Sequence, residues 1–468
     1  MPGAGPGTLT EINVDPSRNT PHPGRVRATT ELTGRGSFDS AFAVTRLAVE
    51  SIALAAEAVA DVVALVAPPP GVAVDRELAS WWFAWSFRPD GWELPPVWDP
   101  IAGDHRGADS WIRLHTNAPR HRRAALSVLG WSPDDAPSRD EVGAVVRTWV
   151  ADDLESAIVD AGGAAAAMRS AAAWAAHPHG RAVATEPLVH RTRTSTMGAG
   201  SPPPADRPLA GVRVLDLTRV LAGPVATRFL AGFGAEVLRV DPLDWDEPAV
   251  VPEVTLGKRC SRLDARSGDG RARLRRLLAG ADVLVHGYRP GALDALLALD
   301  ADARAEVRPG LVEVCLDAYG WTGPWSARRG FDSLVQMSAG IAEAGMRWAG
   351  REVPTPLPVQ ALDHATGYLL AAEAVDGLRD RWNTGWGSLR RASLARTAVW
   401  LTELAGDDGP PLADAPWGDA TPETTPWGPG HRLPAPVTIS GAPVRWDRGA
   451  CHLGSADPEW PPARSRAS

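Results

Sequence analysis

Lysine is almost missing from this chain: of its 48 basic residues, Lys258 is the only lysine. With a heavy load of Arg, Ala, Gly and Pro, this is the bias of a GC-rich coding sequence, which replaces lysine wherever arginine serves. A lysine kept against that drift marks a place where a compact ammonium does what a planar guanidinium cannot, or else is one surface lysine that survived by chance. Cysteine is scarce as well. Cys260, Cys315 and Cys451 are odd in number and widely spaced, which points to reduced thiols in a cytosolic protein and away from a metal cluster. No apolar run has the length of a membrane span; the best candidate, 47–66, is interrupted by Glu50, Glu57 and Asp61. No basic start followed by an apolar stretch marks a secretory signal, so the cytoplasm is the expected compartment. A net charge of −8 gives no sign of a nucleic-acid binder.

What is present divides the chain into stretches. Residues 1–35, rich in Pro, Gly and Thr and without apolar periodicity, read as a mobile tail. A Pro-rich linker at 196–208 is followed by a regular alternation. Val212 to Leu217, Ala235 to Asp241, Asp282 to Val285 and Leu311 to Leu316 read as buried strands, with helices near 224–232, 270–279 and 291–299 between them. Strands alternating with helices of about ten residues predict an α/β fold built on a Rossmann-like parallel sheet. Ligands of such sheets bind at the carboxyl ends of the strands, here the loops after Leu217, Val240 and Val285. No G-x-G-x-x-G follows the first strand, so a dinucleotide fingerprint is missing and NAD is not expected.

One internal echo stands out. Ala55-Ala56-Glu57-Ala58-Val59 repeats as Ala371-Ala372-Glu373-Ala374-Val375, each in an Ala-rich helical stretch. At that register Leu47 takes the place of Asp363. If the chain carries a duplication, the first copy lacks this carboxylate.

From Leu209 to about Trp400 the motifs resemble family III CoA-transferases, in order. They are Leu209-Ala210-Gly211-Val212-Arg213-Val214-Leu215-Asp216-Leu217 with Ala222-Gly223-Pro224; Gly234-Ala235-Glu236-Val237; Gly257-Lys258-Arg259-Cys260; Ala281-Asp282-Val283 through Tyr288-Arg289-Pro290-Gly291; and Tyr319-Gly320-Trp321-Thr322-Gly323-Pro324. A sixth, Gly330-Phe331-Asp332 with Gln336, Ser338 and Gly340, precedes Asp363-His364-Ala365-Thr366-Gly367, which resembles the family's D-x-x-x-G element. The resemblance implies a CoA-transferase using an acyl-CoA donor and a carboxylic acid acceptor, with no metal, no membrane partner and a possible homodimer. It makes Asp363 the catalytic nucleophile, a residue type able to form an anhydride and then an aspartyl-CoA thioester. Read from the residues alone, Asp363 is equally a helix N-cap.

The resemblance further places Lys258 on the CoA phosphates and Arg219 and Ala222 along the CoA channel. Tyr288 falls near the adenine or in ordinary core packing, and Arg239 and Arg289 are either phosphate contacts or solvated charges. Ala295 stands where some members have a CoA-contacting arginine. Upstream, Trp111-Ile112-Arg113-Leu114-His115-Thr116-Asn117 and Trp174 with His177-Pro178 and Pro187-Leu188-Val189 are similar to the family's small domain. Residues 36–195 are therefore expected as a smaller α+β domain from a degenerate copy, 209–405 as the CoA-binding catalytic domain, and 406–468 as a long loop and return segment. No glycine-rich lid is found between residues 36 and 195. The spacing of His115, His177 and His179, without Cys partners, does not fit a metal site.

The α-methylacyl-CoA racemase branch of the same family pairs its aspartate with a histidine just before the D of G-H-D. Phe331 occupies that place here, and His364, next to Asp363, would project about 100° away around a helix. A non-catalytic CoA-binding subunit is the third reading, raised by the rearranged domain order and the absent lid.

Overall fold

The computed structural model describes residues 30–407 and 409–461. Most of the expected tail at 1–35 lies outside the described residues, but its end is ordered: Thr30–Thr33 is a strand paired in parallel with Val72–Asp75.

A seven-stranded sheet carries the α/β fold. In spatial order its strands are Lys258–Arg262, Glu236–Asp241, Arg213–Leu217, Val283–His286, Val312–Asp317, Trp386–Ser393 and His190–Thr196. Every neighbouring pair is parallel except the last, which is antiparallel. Side chains alternate between the faces of a strand, and here the two faces differ in kind. Val214, Val237, Val283, Val285, Val312 and Val314 join the main core with the helices Ala222–Gly232 and Ala361–Thr384. Leu215, Leu217, Leu238 and Leu284 face the other way, onto Leu274, Leu277 and Leu278 of Gly268–Ala279 and onto Leu293 and Leu297 of Ala292–Leu297. Both faces being covered explains why the strands read as continuous apolar runs. From Arg213–Leu217 the chain winds outward to Lys258–Arg262, then returns to lay Val283–His286 on the opposite side. In open parallel sheets the loops leaving two such neighbouring strands diverge, and the crevice between them at the carboxyl ends is where ligands bind.

Residues 36–195, expected as one small domain, are distributed through the molecule. A three-stranded sheet of Gly103–Arg106, Trp111–Leu114 and Ala165–Ala167 has its own core around Ile112, Leu126, Val142 and Leu154. The helix Val44–Val63 instead joins the main core and packs along Ala361–Thr384. Phe87–Pro89 adds a strand to the hairpin Thr421–Thr425 and Gly428–Arg432, and His190–Thr196 closes the large sheet. The segment from 406 onward is accordingly more than loop and return, since Val437–Ile439 also pairs with Val72–Asp75. A buried group joins these pieces: Arg228 and Arg432 both reach Glu253, which also accepts the Ser86 hydroxyl at 2.6 Å. The linker at 196–208 ends with Arg207 donating to the Gly232 carbonyl at 3.0 Å and to Asp447 at 3.0 Å.

The two echoing helices share a local topology. Val44–Val63 connects the parallel strands Thr30–Thr33 and Val72–Asp75, and Ala361–Thr384 connects the parallel strands Val312–Asp317 and Trp386–Ser393. Leu47, near the start of the first helix, is fully buried. Among the described residues no helix is long and apolar enough to cross a membrane.

Candidate active site

Asp363 is the third residue of the helix Ala361–Thr384, whose N-cap position is held by Gln360. It is therefore not the cap of its own helix. The capping function falls to Asp332, whose Oδ2 accepts the Asp363 backbone N–H at 2.9 Å, one of the amides a helix start leaves without an internal partner. Gln336 donates its side-chain N–H to Asp332 Oδ1, and its own oxygen accepts the Leu357 N–H at 2.8 Å. The Asp363 side chain lies in the same pocket of protein, with Asp363 only 8% exposed. Burial, and secondarily the neighbouring Asp332 charge, raise its carboxyl well above the usual carboxylate range. Burial likewise pushes Asp332 up to about 6, against the hydrogen bonds that favour its charge. The two carboxyls titrate as a pair, in which ionisation of one opposes ionisation of the other.

Gly367, the glycine of D-x-x-x-G, has a packing reason. A Cβ there would lie 2.5 Å from the Ala222 carbonyl oxygen and 2.9 Å from Val225 Cβ. Its absence lets the start of Ala222–Gly232 press against the Asp363 helix one turn beyond the carboxylate. Both helix starts thus meet at the carboxyl end of the sheet, and Ala222, expected along the channel, is buried at that junction. Just before it, Val220 has φ +66°, a left-handed conformation costly for a β-branched residue. Glu247 holds it there by accepting the Val220 N–H at 2.9 Å.

Two expected CoA contacts turn out to be internal. Lys258 is 1% exposed; its Nζ donates to Asp216 Oδ2 at 3.1 Å and to the Pro224 carbonyl at 2.9 Å. It is neither a surface lysine nor directed at a phosphate: it ties the first strand to the helix start at Pro224. Asp216 also accepts from the Thr218 N–H at 2.9 Å and from the Thr227 hydroxyl at 2.5 Å, leaving a small, crowded space that suits an ammonium better than a guanidinium. Arg239 is fully buried, with two bonds to Asp241 at 2.9 and 3.0 Å and a third to Glu247. Phosphate contact and solvated charge are both corrected here. Arg239 orients Glu247, which holds the strained Val220 turn and accepts the Trp245 Nε1–H at 3.0 Å.

Arg219 and Tyr288 are brought together across the crevice. Arg219 Nη2 donates to the Tyr288 hydroxyl at 3.0 Å, and the guanidinium lies 5.2 Å from the Trp245 ring and 5.4 Å from the Tyr288 ring. Arg219 Nε is buried with no hydrogen-bond partner. Further arginines mass nearby. Arg120, on the helix Pro119–Val128 beside the small sheet, has its guanidinium destabilised by burial and by Arg219, Arg289 and Arg266, with Asp244 opposing. Arg329 is destabilised by burial, Arg289 and Arg120. Sequence reasoning left Arg289 undecided and missed Arg120, Arg266, Arg329 and Trp245. In a chain so rich in arginine, no local signal separates these from other surface charges. Asp332 carried a findable signal, since it lies inside a quoted motif.

The histidines have other partners. His364 stacks on Phe83 with centroids 5.0 Å apart, on a different side of the helix from Asp363. His115 stacks on Phe331 at 3.6 Å and 3°, and His121 meets the edge of the same ring. His179 Nε2 is 2.6 Å from the Tyr319 carbonyl, and His177 lies on Trp174.

Residues 209–425, the segment holding Arg219, Asp332 and Asp363, match CoA-transferase family III. Succinyl-CoA:glutarate CoA-transferase of Mus musculus is 33% identical over 217 residues, covering 43% of this chain and 49% of that protein. An acyl-CoA transferase of Gibberella moniliformis is 30% identical over 309 residues, 61% of this chain and 54% of that one. The crystal structure of Rv3272 from M. tuberculosis aligns with a TM-score of 0.39 at 30% identity, covering 43% of this chain and 56% of that chain. The chain thus spans about half the length of these curated relatives. The similarity to CoA-transferase family III therefore rests on residues 209–425.

Proposed function

We propose that the protein transfers CoA from an acyl-CoA donor to a carboxylic acid acceptor, with Asp363 as the covalent carrier. The observation that carries this reading is the placement of Asp363: a buried carboxyl in the first turn of a helix, paired with Asp332, at the crevice where the two helix starts meet. In the proposed cycle the Asp363 carboxylate attacks the donor thioester carbonyl, giving a mixed anhydride and CoA thiolate. The thiolate attacks the Asp363 carbonyl, releasing the donor acid and leaving an aspartyl-CoA thioester. The acceptor carboxylate then attacks that thioester, and the freed thiolate takes the new acyl group, regenerating Asp363. Every step is a substitution at an acyl carbon, so none calls for a metal or a redox cofactor. The free amides of the helix start favour the anionic forms that arise on the way.

The arginine group supports CoA as the ligand. Arg219, Arg266 and Arg289 repel Arg120, Arg289 and Arg120 repel Arg329, and a bound polyphosphate relieves that repulsion. Tyr288 and Trp245 offer ring faces for the adenine beside Arg219. Lys258 and Arg239 are given supporting roles beneath these loops. With Leu47 in the corresponding helix of the other strand–helix–strand unit, one active site per chain is proposed, in a Rossmann-like, cytoplasmic enzyme.

Proton transfer at the α-carbon, the racemase chemistry, draws on one observation. His115 lies against Phe331, where that branch has its histidine, and its Nδ1 has no hydrogen-bond partner. Burial pushes His115 down to about 3, however, which makes it a weak base. Incubation with an acyl-CoA in D2O separates the readings. Transfer predicts a CoA or acyl adduct on the Asp363 peptide, absent from Asp363→Asn. Deuterium at the α-carbon without an adduct would overturn it in favour of racemisation, and neither signal would leave a CoA-binding subunit.

A further inference from the structure

Far apart in sequence, Cys260 and Cys451 meet in the fold. Cys260 is fully buried on the edge strand Lys258–Arg262, and Cys451, partly exposed, lies in the returning C-terminal segment. Each thiol shifts the other, Cys451 raising Cys260 and Cys260 lowering Cys451. The returning segment is registered against the strand region by several bonds. Cys451 N–H donates to the Thr255 hydroxyl at 3.1 Å, Cys451 Sγ lies 3.6 Å from the Lys258 carbonyl, and Ala456 N–H donates to the Cys260 carbonyl at 2.9 Å. These bonds place Cys451 beside the strand that carries Cys260. Nothing in the proposed transfer cycle uses either sulfur. Cys315, the third cysteine, is buried in Val312–Asp317 on another strand.

We infer that Cys260 and Cys451 are a redox-active thiol pair, a modification site for low-molecular-weight disulfides. Cys451 is the attacking sulfur because it is the more exposed of the two. Its thiolate attacks a small disulfide RSSR, the S–S bond breaks, and RS⁻ leaves with a mixed disulfide on Cys451. Cys260 then gives up its proton and its sulfur attacks Cys451, releasing a second RS⁻. The protein loses two electrons and two protons, RSSR becomes two RSH, and a Cys260–Cys451 bond ties the C-terminal segment to the edge strand above Lys258. Contact with Cys260 and Ser455 lowers the Cys451 thiol against its partial burial, which favours its thiolate, while Cys260 and Cys315 are pushed up.

The test is peptide mapping of the full native chain after incubation with oxidised glutathione at pH 7.5. We expect a cross-linked peptide containing Cys260 and Cys451, about 2 Da lighter than the sum of the two thiol peptides, with Cys315 recovered free. In Cys260→Ser the glutathione adduct on Cys451 should persist instead of resolving. Without any substitution, iodoacetamide should modify Cys451 at least about tenfold faster than Cys315. A wild-type chain that keeps a stable glutathione adduct on Cys451, or leaves both thiols free, would overturn the inference.

Discussion

Asp332 caps the helix that carries Asp363, its Oδ2 accepting the Asp363 backbone N–H at 2.9 Å. The same carboxylate also opposes ionisation of the side chain on that residue. Replacing Asp332 by Asn keeps an acceptor oxygen for the amide and removes the like charge. Asp363 should then ionise more readily, and the acid limb of the kcat/KM–pH profile should move to lower pH. Asp332→Ala removes the cap as well and should cost about 1 kcal/mol in addition. An unmoved acid limb in the Asn variant would show that the two carboxyls are not coupled.

Asp363→Asn should abolish transfer and yet stabilise the fold at neutral pH. A carboxyl whose folded pKa is raised contributes stability that is fully present below its unfolded value, about 4, and lost as pH rises through the folded one. An amide has no such loss. In thermal melts at pH 8 the Asp363→Asn variant should unfold a few degrees above the wild type, about 2–4 °C, with the difference shrinking towards pH 4.

Gly367→Ala sets helix propensity against space. The substitution gains up to about 1 kcal/mol of propensity, but its Cβ would lie 2.5 Å from the Ala222 carbonyl oxygen, which is backbone. Overpacking of this kind costs about 1–3 kcal/mol. Net destabilisation by urea melts is expected, with a fall in kcat as the Ala222 turn shifts relative to Asp363.

For Lys258 the expectation is structural. Lys258→Met leaves Asp216 buried without its cation, and breaking such a pair costs about 3–5 kcal/mol. Lys258→Arg should also destabilise, because the guanidinium has no room between Asp216 and the Pro224 carbonyl. The double variant Lys258→Met with Asp216→Leu should recover part of the loss. If Lys258→Met left stability intact and raised only the KM for acyl-CoA, the ammonium would be a phosphate contact after all.

Arg120 tests the arginine group from the side of the small sheet. Arg120→Ala should raise the KM for acyl-CoA roughly tenfold, the equivalent of about 1.4 kcal/mol, with little change in kcat. It should also weaken the dependence of KM on salt. An unchanged KM would place the phosphates elsewhere.

Much of the large sheet was legible along the chain. Val214, Leu215, Val237 and Leu238 form runs because both faces are covered, and the alternation of such runs with amphipathic helices announces a parallel sheet. The place of Asp363 at a helix start was legible through its motif, and the His364 projection followed from helix geometry alone. The N-terminal half was harder. Its resemblance to a small domain spoke of local strands, whereas His190–Thr196 and Phe87–Pro89 find their partners in distant parts of the chain, at Trp386–Ser393 and Gly428–Arg432.

Within the site, the sequence by itself determined which residue types were present: a carboxylate at 363, a lone lysine at 258, arginines at 219 and 239, and a glycine at 367. Tertiary structure alone decided what each of them meets. Lys258 and Arg239 carry charges that a string of letters leaves in water, and folding pairs them internally with Asp216, Asp241 and Glu247. Arg120 and Arg219 carry the same kind of charge, and folding masses them at the crevice. The physical reason is that a charge is defined locally but its energy is not. Burial and the identity of the nearest opposite charge come from segments distant in the chain, and those two quantities separate a structural ion pair from a binding group.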